Sequence, residues 1–399
     1  MSFLKLKNKL QPPELALTRL YYFFYMGGSG FINPFINLFY ISLGLNGKQI
    51  GTIASTSAVI GLFAAPIVTN EIKKRPGARG YLQLILLAGA VGYTMIARQT
   101  SFLPIIIIMI LTSLLVSSAA PLSDSLGVAM ARATEAGYGS LRVFGSLGWI
   151  VMVPISGWVI QNLGYQAGFG GFSLAWVATG LLLFWISPKY FTTPASITIG
   201  RSGLRQAGRK IIQNRALLGF AIGLVAITLL NNGVNQFENV YLSDLGATKQ
   251  VISIAGIMSA MVELPFMVLS DRIMRRTGSH KLLLISLALT LLGRLAVLIL
   301  PSIATIMVVR FVGGMGFSFY TVSYIGLISS QTETHETGTV LALYTVTLAG
   351  LVNVLASPIS GAIYDALGGR WLYALAAAGY AIAILSLWLN RPHPLNQPQ

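Results

Sequence analysis

Long apolar runs of about twenty residues, broken by short polar stretches, set the pattern of this chain from Leu15 onward. A helix needs about 20 apolar residues to cross the ~30 Å hydrocarbon layer of a bilayer. The runs are continuously apolar and do not alternate over ~10 residues as barrel strands do. Only helices and closed barrels satisfy their backbone polar groups in lipid, so the runs read as membrane helices. The expected spans are 15–43, 48–70, 80–98, 102–129, 139–162, 168–187, 216–243, 249–271, 281–299, 302–330, 338–364 and 371–389.

Composition supports this pattern. Of 399 residues, 54% are hydrophobic and 10% charged, against roughly a quarter charged in a soluble domain. A water-soluble surface cannot be built from so few charges. The net charge of +16 could point to nucleic acid. However, most Lys and Arg cluster between apolar runs, and no aromatic-basic module accompanies them. With the N-terminus inside, the inner loops collect Lys73, Lys74, Arg75, Arg79, Arg132, Lys189, Arg201, Arg205, Arg209, Lys210, Arg215, Arg272, Arg275, Arg276 and Lys281. The outer loops hold Lys48, Arg98, Lys249 and Arg370. This asymmetry puts both termini in the cytoplasm. Lys5, Lys7 and Lys9 precede the first run, which is too long for a signal-peptide core and is expected to be retained.

The chain has no Cys, which removes disulfides, thiolate metal sites and thiol catalysis. His280, His335 and His393 are scattered without ligand spacing, so no metal is expected. Gly27, Gly28 and Gly30, like Gly313, Gly314 and Gly316, lack the strand-turn-helix setting of a nucleotide loop; close helix packing accounts for them better. No P-loop is present, and no cofactor is expected.

Two echoes divide the chain. PISGWVIQNLG from Pro154 returns as PISGAIYDALG from Pro358, and TNEIKKRPG from Thr69 returns as SDRIMRRTG from Ser270. The offsets, 204 and 201, are nearly equal. They predict two six-helix bundles in parallel repeat, 1–187 and 216–399, joined by a polar basic linker at 188–215. Such halves enclose a site near the midplane. Gly203–Asn214 reads either as a short basic surface helix or as flexible linker.

The Ser270 echo resembles the loop signature of the major facilitator superfamily through Ser270, Asp271, Arg272, Arg275, Arg276, Gly278 and Lys281. The resemblance implies that Asp271 and Arg272 belong to a latch between helix ends. In the first copy Asn70 stands where the family has Asp. A narrower resemblance lies in PLSDSLG (Pro121–Gly127) and YGSLRVFGSLGWI (Tyr138–Ile150), similar to the lactose-permease-like branch with its oligosaccharide, nucleoside and phenylpropionate permeases. It implies that Asp124 and Arg142 form a ligand-binding couple and that Trp149 stacks on a ring. It also aligns Glu263, Arg294 and Arg310 with functional acid and basic positions, and Asn231 with an acid. Gly313 and Gly316 stand where the sugar permease carries its proton-coupling His and Glu, so any proton carrier here is expected elsewhere.

Charges at helix centre are costly and usually face an interior cavity with partners. The candidates are Asp124, Arg142, Glu238, Glu263, Arg294 and Arg310, three acids and three bases that could pair without remainder. Arg142 can grip a carboxylate or a hydroxyl pair through its planar fork; the alternative is a structural ion pair with Asp124. Glu263 is a candidate proton carrier, ligand contact or partner of an Arg. Asn231 and Asn235, four apart, share one helix face and are expected to line the cavity or bridge helices. The substrate-binding candidates are therefore Asp124, Arg142, Trp149, Asn231, Asn235 and Glu263. The proton-coupling candidates are Glu263, Asp124, Arg294 and Arg310.

These features predict a gradient-driven transporter of a small polar solute, such as a sugar, nucleoside or aromatic acid. Efflux of drugs or metabolites on the same fold is the alternative. The expected partners are the solute, the lipid bilayer and candidate protons, with no nucleic acid and no second subunit. No nucleophile-base pair is evident, so an enzyme is not expected.

Overall fold

The computed structural model describes residues 13–73, 77–134, 136–191 and 201–391. Lys5, Lys7, Lys9, Lys74, Arg75 and His393 fall outside the described residues. Those described are helical throughout, without a strand. In chain order the helices are α1 (Pro13–Ser29), α2 (Ile36–Ser42), α3 (Gly47–Lys73), α4 (Ala78–Ile96), α5 (Phe102–Val116), α6 (Ala119–Thr134), α7 (Tyr138–Leu163) and α8 (Tyr165–Leu182). There follow α9 (Arg201–Gln213), α10 (Arg215–Leu230), α11 (Asn232–Asp244), α12 (Lys249–Thr277), α13 (Ser279–Ile299), α14 (Ile303–Gln331), α15 (Thr334–Ala342), α16 (Ala349–Leu367) and α17 (Gly369–Leu389).

Ten helical stretches among the described residues are long and apolar enough to cross a membrane. Of the two other expected spans, 80–98 forms α4, while 15–43 is interrupted between α1 and α2. Pro34 lies in that interruption and cannot donate a backbone hydrogen bond to a continuous helix. Three expected spans are also not straight rods: 102–129 breaks after Val116, 216–243 at Asn231, and 338–364 winds into a π-helical turn over Leu343–Leu348. Irregular backbone at such depth is tolerated where protein or a wet cavity receives it.

Large apolar side chains point outward, with Ile67 71% and Leu174 73% exposed, as a lipid-facing surface requires. Many small hydroxyls are buried instead and satisfy themselves locally. Thr18 donates to the Glu14 carbonyl at 2.8 Å and Thr179 to the Ala175 carbonyl at 2.7 Å. The stretch at 203–214 does form a helix, α9. Its Ala207 and Ile211 are buried in one cluster with Leu217, Val340 and Tyr344, Lys210 pairs with Glu336, and Arg205 and Arg209 stay exposed. The amphipathic pattern thus docks on protein as well as facing outward.

Contacts between the first and second halves of the sequence run through α2–α11, α3–α16 and α7–α12. Small residues let the backbones meet, as in membrane helix pairs generally. A Cβ built on Gly361 would lie 1.9 Å from the Gly47 carbonyl oxygen, and one on Gly51 would lie 2.2 Å from that of Ser357. The repeated PISG motif sits at two of these contacts, because Gly157 packs on Ser253 as Gly361 packs on Gly47. The eighth residue of each copy, Gln161 or Asp365, caps a helix start across the contact. Gln161 Oε1 accepts from the Gln250 amide at 3.1 Å. Asp365 Oδ1 and Oδ2 accept from the Gly47 and Lys48 amides at 2.6 and 2.9 Å. These bonds lie at the helix ends opposite the Arg272–Arg276 cluster, so the far end is drawn shut.

Candidate functional site

Two polar clusters interrupt the apolar interior. The first joins α6 and α7. Arg142 Nη1 donates to Asp124 Oδ1 at 2.7 Å, and the Tyr138 hydroxyl donates to the same oxygen at 2.8 Å. The α6 wall is fixed from behind: Tyr22 donates to the Ser123 carbonyl at 2.8 Å and Tyr21 shares a 2.5 Å bond with the Ser123 hydroxyl. Gly127 makes room for the Tyr22 and Tyr138 rings, since a Cβ there would meet the Tyr22 hydroxyl at 2.2 Å and the Tyr138 ring at 2.8 Å. The Arg142 and Asp124 side chains are 45% and 47% exposed. The couple is therefore held on one side and open on the other. Trp149, seven residues along α7 from Arg142, is partly buried.

The second cluster lies in a cavity of about 790 Å³ walled by α10, α11, α12, α13, α14, α16 and α17. Asn231, Asn235, Glu263, Arg294 and Arg310 all line it, together with Glu238. Asp124, Arg142 and Trp149 are not on this wall. The break between α10 and α11 turns Asn231 and Asn235 onto one face, where the Asn231 amide donates to Asn235 Oδ1 at 3.0 Å. Asn231 is buried, yet its Oδ1 has no partner. Beside it, Asn232 donates to Asn353 Oδ1 at 3.0 Å, tying α11 to α16.

The ion pairs correct the even matching of acids with bases. Glu238 takes both arginines: Arg310 Nε donates to its Oε2 at 2.6 Å, and Arg294 Nη1 stands 3.6 Å from Oε1. Tyr373 donates to Oε1 at 2.6 Å. Arg310 Nη2 also donates to Asn239 Oδ1 at 2.5 Å, and the Asn239 amide reaches the Pro34 carbonyl at 2.9 Å. Glu263, by contrast, has no ion pair among the described residues; Ser318 bonds only its backbone carbonyl, at 3.0 Å. The physical reason is geometric. Glu238 lies one helical turn beyond Asn235 at the closed end, where α13 and α14 converge, whereas Glu263 projects from α12 into open cavity.

Asp271 and Arg272 are exposed at the end of α12, and no ion pair involving them is present among the described residues. The latch implied for them is not seen among the described residues. Of the glycines, Gly27 and Gly148 bring α1 and α7 together, and Gly314 lets α14 meet the Ser259 carbonyl, as close packing requires. Gly313 faces open space on the cavity wall. Sequence reasoning missed Tyr138, Tyr373, Asn239 and Asn353. Tyr138 lay inside the quoted α7 motif. Asn239 and Asn353 stood out as amides within apolar runs. Nothing in the sequence marked Tyr373.

An apolar helical body with charged walls around an internal cavity defines a membrane transport protein rather than an enzyme. Residues 15–375 match the MFS_1 like family, and the chain belongs to it: this is an integral membrane transporter of the major facilitator type. It is 29% identical over 272 residues to a maltose permease of Geobacillus stearothermophilus, covering 67% of this chain and 66% of that one, just under two thirds of the relative. It is 24% identical over 392 residues to an uncharacterized transporter of Bacillus subtilis (strain 168), covering 96% of each. The fold is similar to that of a nucleoside transporter, NupG, with a TM-score of 0.77 at 13% identity, over 94% of this chain and 98% of that one.

Proposed function

We propose that this protein is a secondary active transporter that moves a small polar solute, such as a sugar, nucleoside or aromatic acid, across the cytoplasmic membrane. In this reading twelve spans form two six-helix bundles, 1–187 and 216–399, joined through 188–215, with both termini in the cytoplasm. The observation that carries it is the cavity of about 790 Å³ bearing Asn231, Asn235, Glu238, Glu263, Arg294 and Arg310 inside a largely apolar body. Charges at that depth are costly unless a wet cavity receives them. Such a wall suits hydrogen-bonding solutes better than the apolar drugs of an efflux pump.

Alternating access follows from the asymmetry of contacts. With the far end closed through Gly47–Gly361 and Gly157–Ser253 and no ion pair at Asp271 or Arg272 among the described residues, this reading takes the conformation as inward-open. Solute held by Asp124, Arg142 and Trp149 on one side and by Asn231, Asn235 and Glu263 on the other would draw the halves together. Asp271 and Arg272 would then latch the inner end as the outer contacts part. Glu263 is the preferred proton carrier, and Asp124, Arg294 and Arg310 are the other proton-coupling candidates. The test is uptake by reconstituted vesicles of a panel of sugars, nucleosides and aromatic acids, with and without an inward pH gradient. The expected result is saturable accumulation of one solute class, raised by the gradient. Extrusion of apolar dyes without uptake of any panel member would replace this reading with efflux.

A further inference from the structure

The wall of the cavity carries a local imbalance of charge. Glu238 alone faces Arg294 and Arg310, and its two oxygens already receive Arg310 Nε and the Tyr373 hydroxyl at 2.6 Å each. Arg294 is left at 3.6 Å. Its guanidinium stands 5.7 Å from the centre of the Tyr373 ring and beside Tyr380. Its Nε is buried without a hydrogen-bond partner. Two guanidinium groups against one carboxylate leave one positive charge in excess at this corner. The other carboxyl on the wall, Glu263, lies beyond ion-pair distance of either arginine. A buried cation whose fork is only partly used is poorly compensated, and a planar guanidinium matches a carboxylate in two-bond geometry.

We infer that Arg294 is an anion subsite, and that the transported solute carries a carboxylate which docks on its unused donor edge. This deepens the transporter reading and rests on it. Asn231 Oδ1, buried and unpartnered on the same wall, then takes a hydrogen bond from a donor elsewhere on the solute. The solute class is a small organic acid with a hydroxyl or similar donor, rather than a neutral sugar. Arg310 is a positioning residue in this scheme: it saturates Glu238, which frees Arg294 for the solute.

The experiment compares carboxylates with their uncharged amides (lactate with lactamide, benzoate with benzamide, 3-phenylpropionate with its amide, gluconate with gluconamide) as binders of the purified full-length protein by calorimetry. The expected result is preference for at least one carboxylate over its amide by roughly ten- to hundredfold, the range of a charge-assisted bond against a neutral one. In Arg294→Gln that preference should fall to within about threefold, because the charge and the guanidinium fork are both lost, while amide binding falls much less than carboxylate binding and the protein still melts cooperatively. Glu238 keeps Arg310 and Tyr373 in that variant, so it should fold; Arg294→Lys, which restores charge without the fork, should recover part of the preference. No carboxylate bound in preference to its amide, or a preference unchanged in Arg294→Gln, overturns the assignment. Those results leave the transport reading intact if vesicles accumulate a neutral solute. Vesicles that accumulate no member of the panel refute the uptake reading itself, whatever Arg294 binds.

Discussion

Replacing Asp365 with Ala should open the far end of the cavity. The Asp365 carboxylate receives the amides of Gly47 and Lys48 at 2.6 and 2.9 Å, at the first residues of α3. Both are charge-assisted bonds to a helix N-terminus, whose partial positive charge favours an anion. Buried, each would contribute ~1.5–3 kcal/mol; at this exposed rim about 1 kcal/mol each is the sounder figure. The side chain makes this contact only when α16 meets α3, so the whole sum, about 2 kcal/mol, bears on the balance between closed and open far end. That corresponds to roughly thirtyfold in population. The chain has no Cys, so a single Gly313→Cys marker reports without background from other thiols. Gly313 lines the cavity and an added Cβ there meets nothing within 4 Å. A membrane-impermeant thiol reagent applied to the far face should label Gly313→Cys about ten- to thirtyfold faster when Asp365→Ala is added, from the population ratio above. A labelling rate within twofold of the Asp365 background, in protein that still melts cooperatively, would refute the reasoning. It would mean that glycine packing alone holds the far end shut.

Four further outcomes are expected. Gly361→Ala places a Cβ 1.9 Å from the Gly47 carbonyl and should part the far end more than Asp365→Ala does in the same labelling assay. Gly338→Ala, whose Cβ meets open space, should leave labelling unchanged. Arg142→Ala should abolish uptake while shifting stability by no more than about 1 kcal/mol, since the pair is half-exposed; full uptake by that variant removes Arg142 from the binding site. Glu263→Gln should lower accumulation driven by a pH gradient toward the equilibrium level, and by a larger factor than it weakens solute binding. The amide keeps hydrogen-bonding capacity but carries no proton, and Glu263 has no charge pair among the described residues whose loss would disturb the wall. Unchanged accumulation, measured in vesicles with a fixed gradient, would exclude Glu263 as the proton carrier.

The apolar runs and the basic clusters between them made the membrane helices legible, because length and charge are local properties of the chain. The two PISG copies likewise announced a repeat, and Asn231 and Asn235 were placed on one face by helix period alone. What the sequence could not say was who pairs with whom. Arg294, Arg310 and Glu238 stand on three different helices, and their assignment to one corner, with Glu263 left apart, depends on how α11, α13 and α14 converge. The breaks at Pro34 and Asn231 had local signals, a proline and a run of amides, whereas the π-helical turn at Leu343–Leu348 also came from tertiary packing. The same holds for the role of the repeated motif. Its glycines and its capping residues, Gln161 and Asp365, acquire a purpose only when α7 meets α12 and α16 meets α3. Hydrophobic patterning decides that a segment enters the bilayer. Inside it, apolar burial is non-directional, and the distances between charges, the close glycine contacts and the open end of the cavity are set by the packed whole.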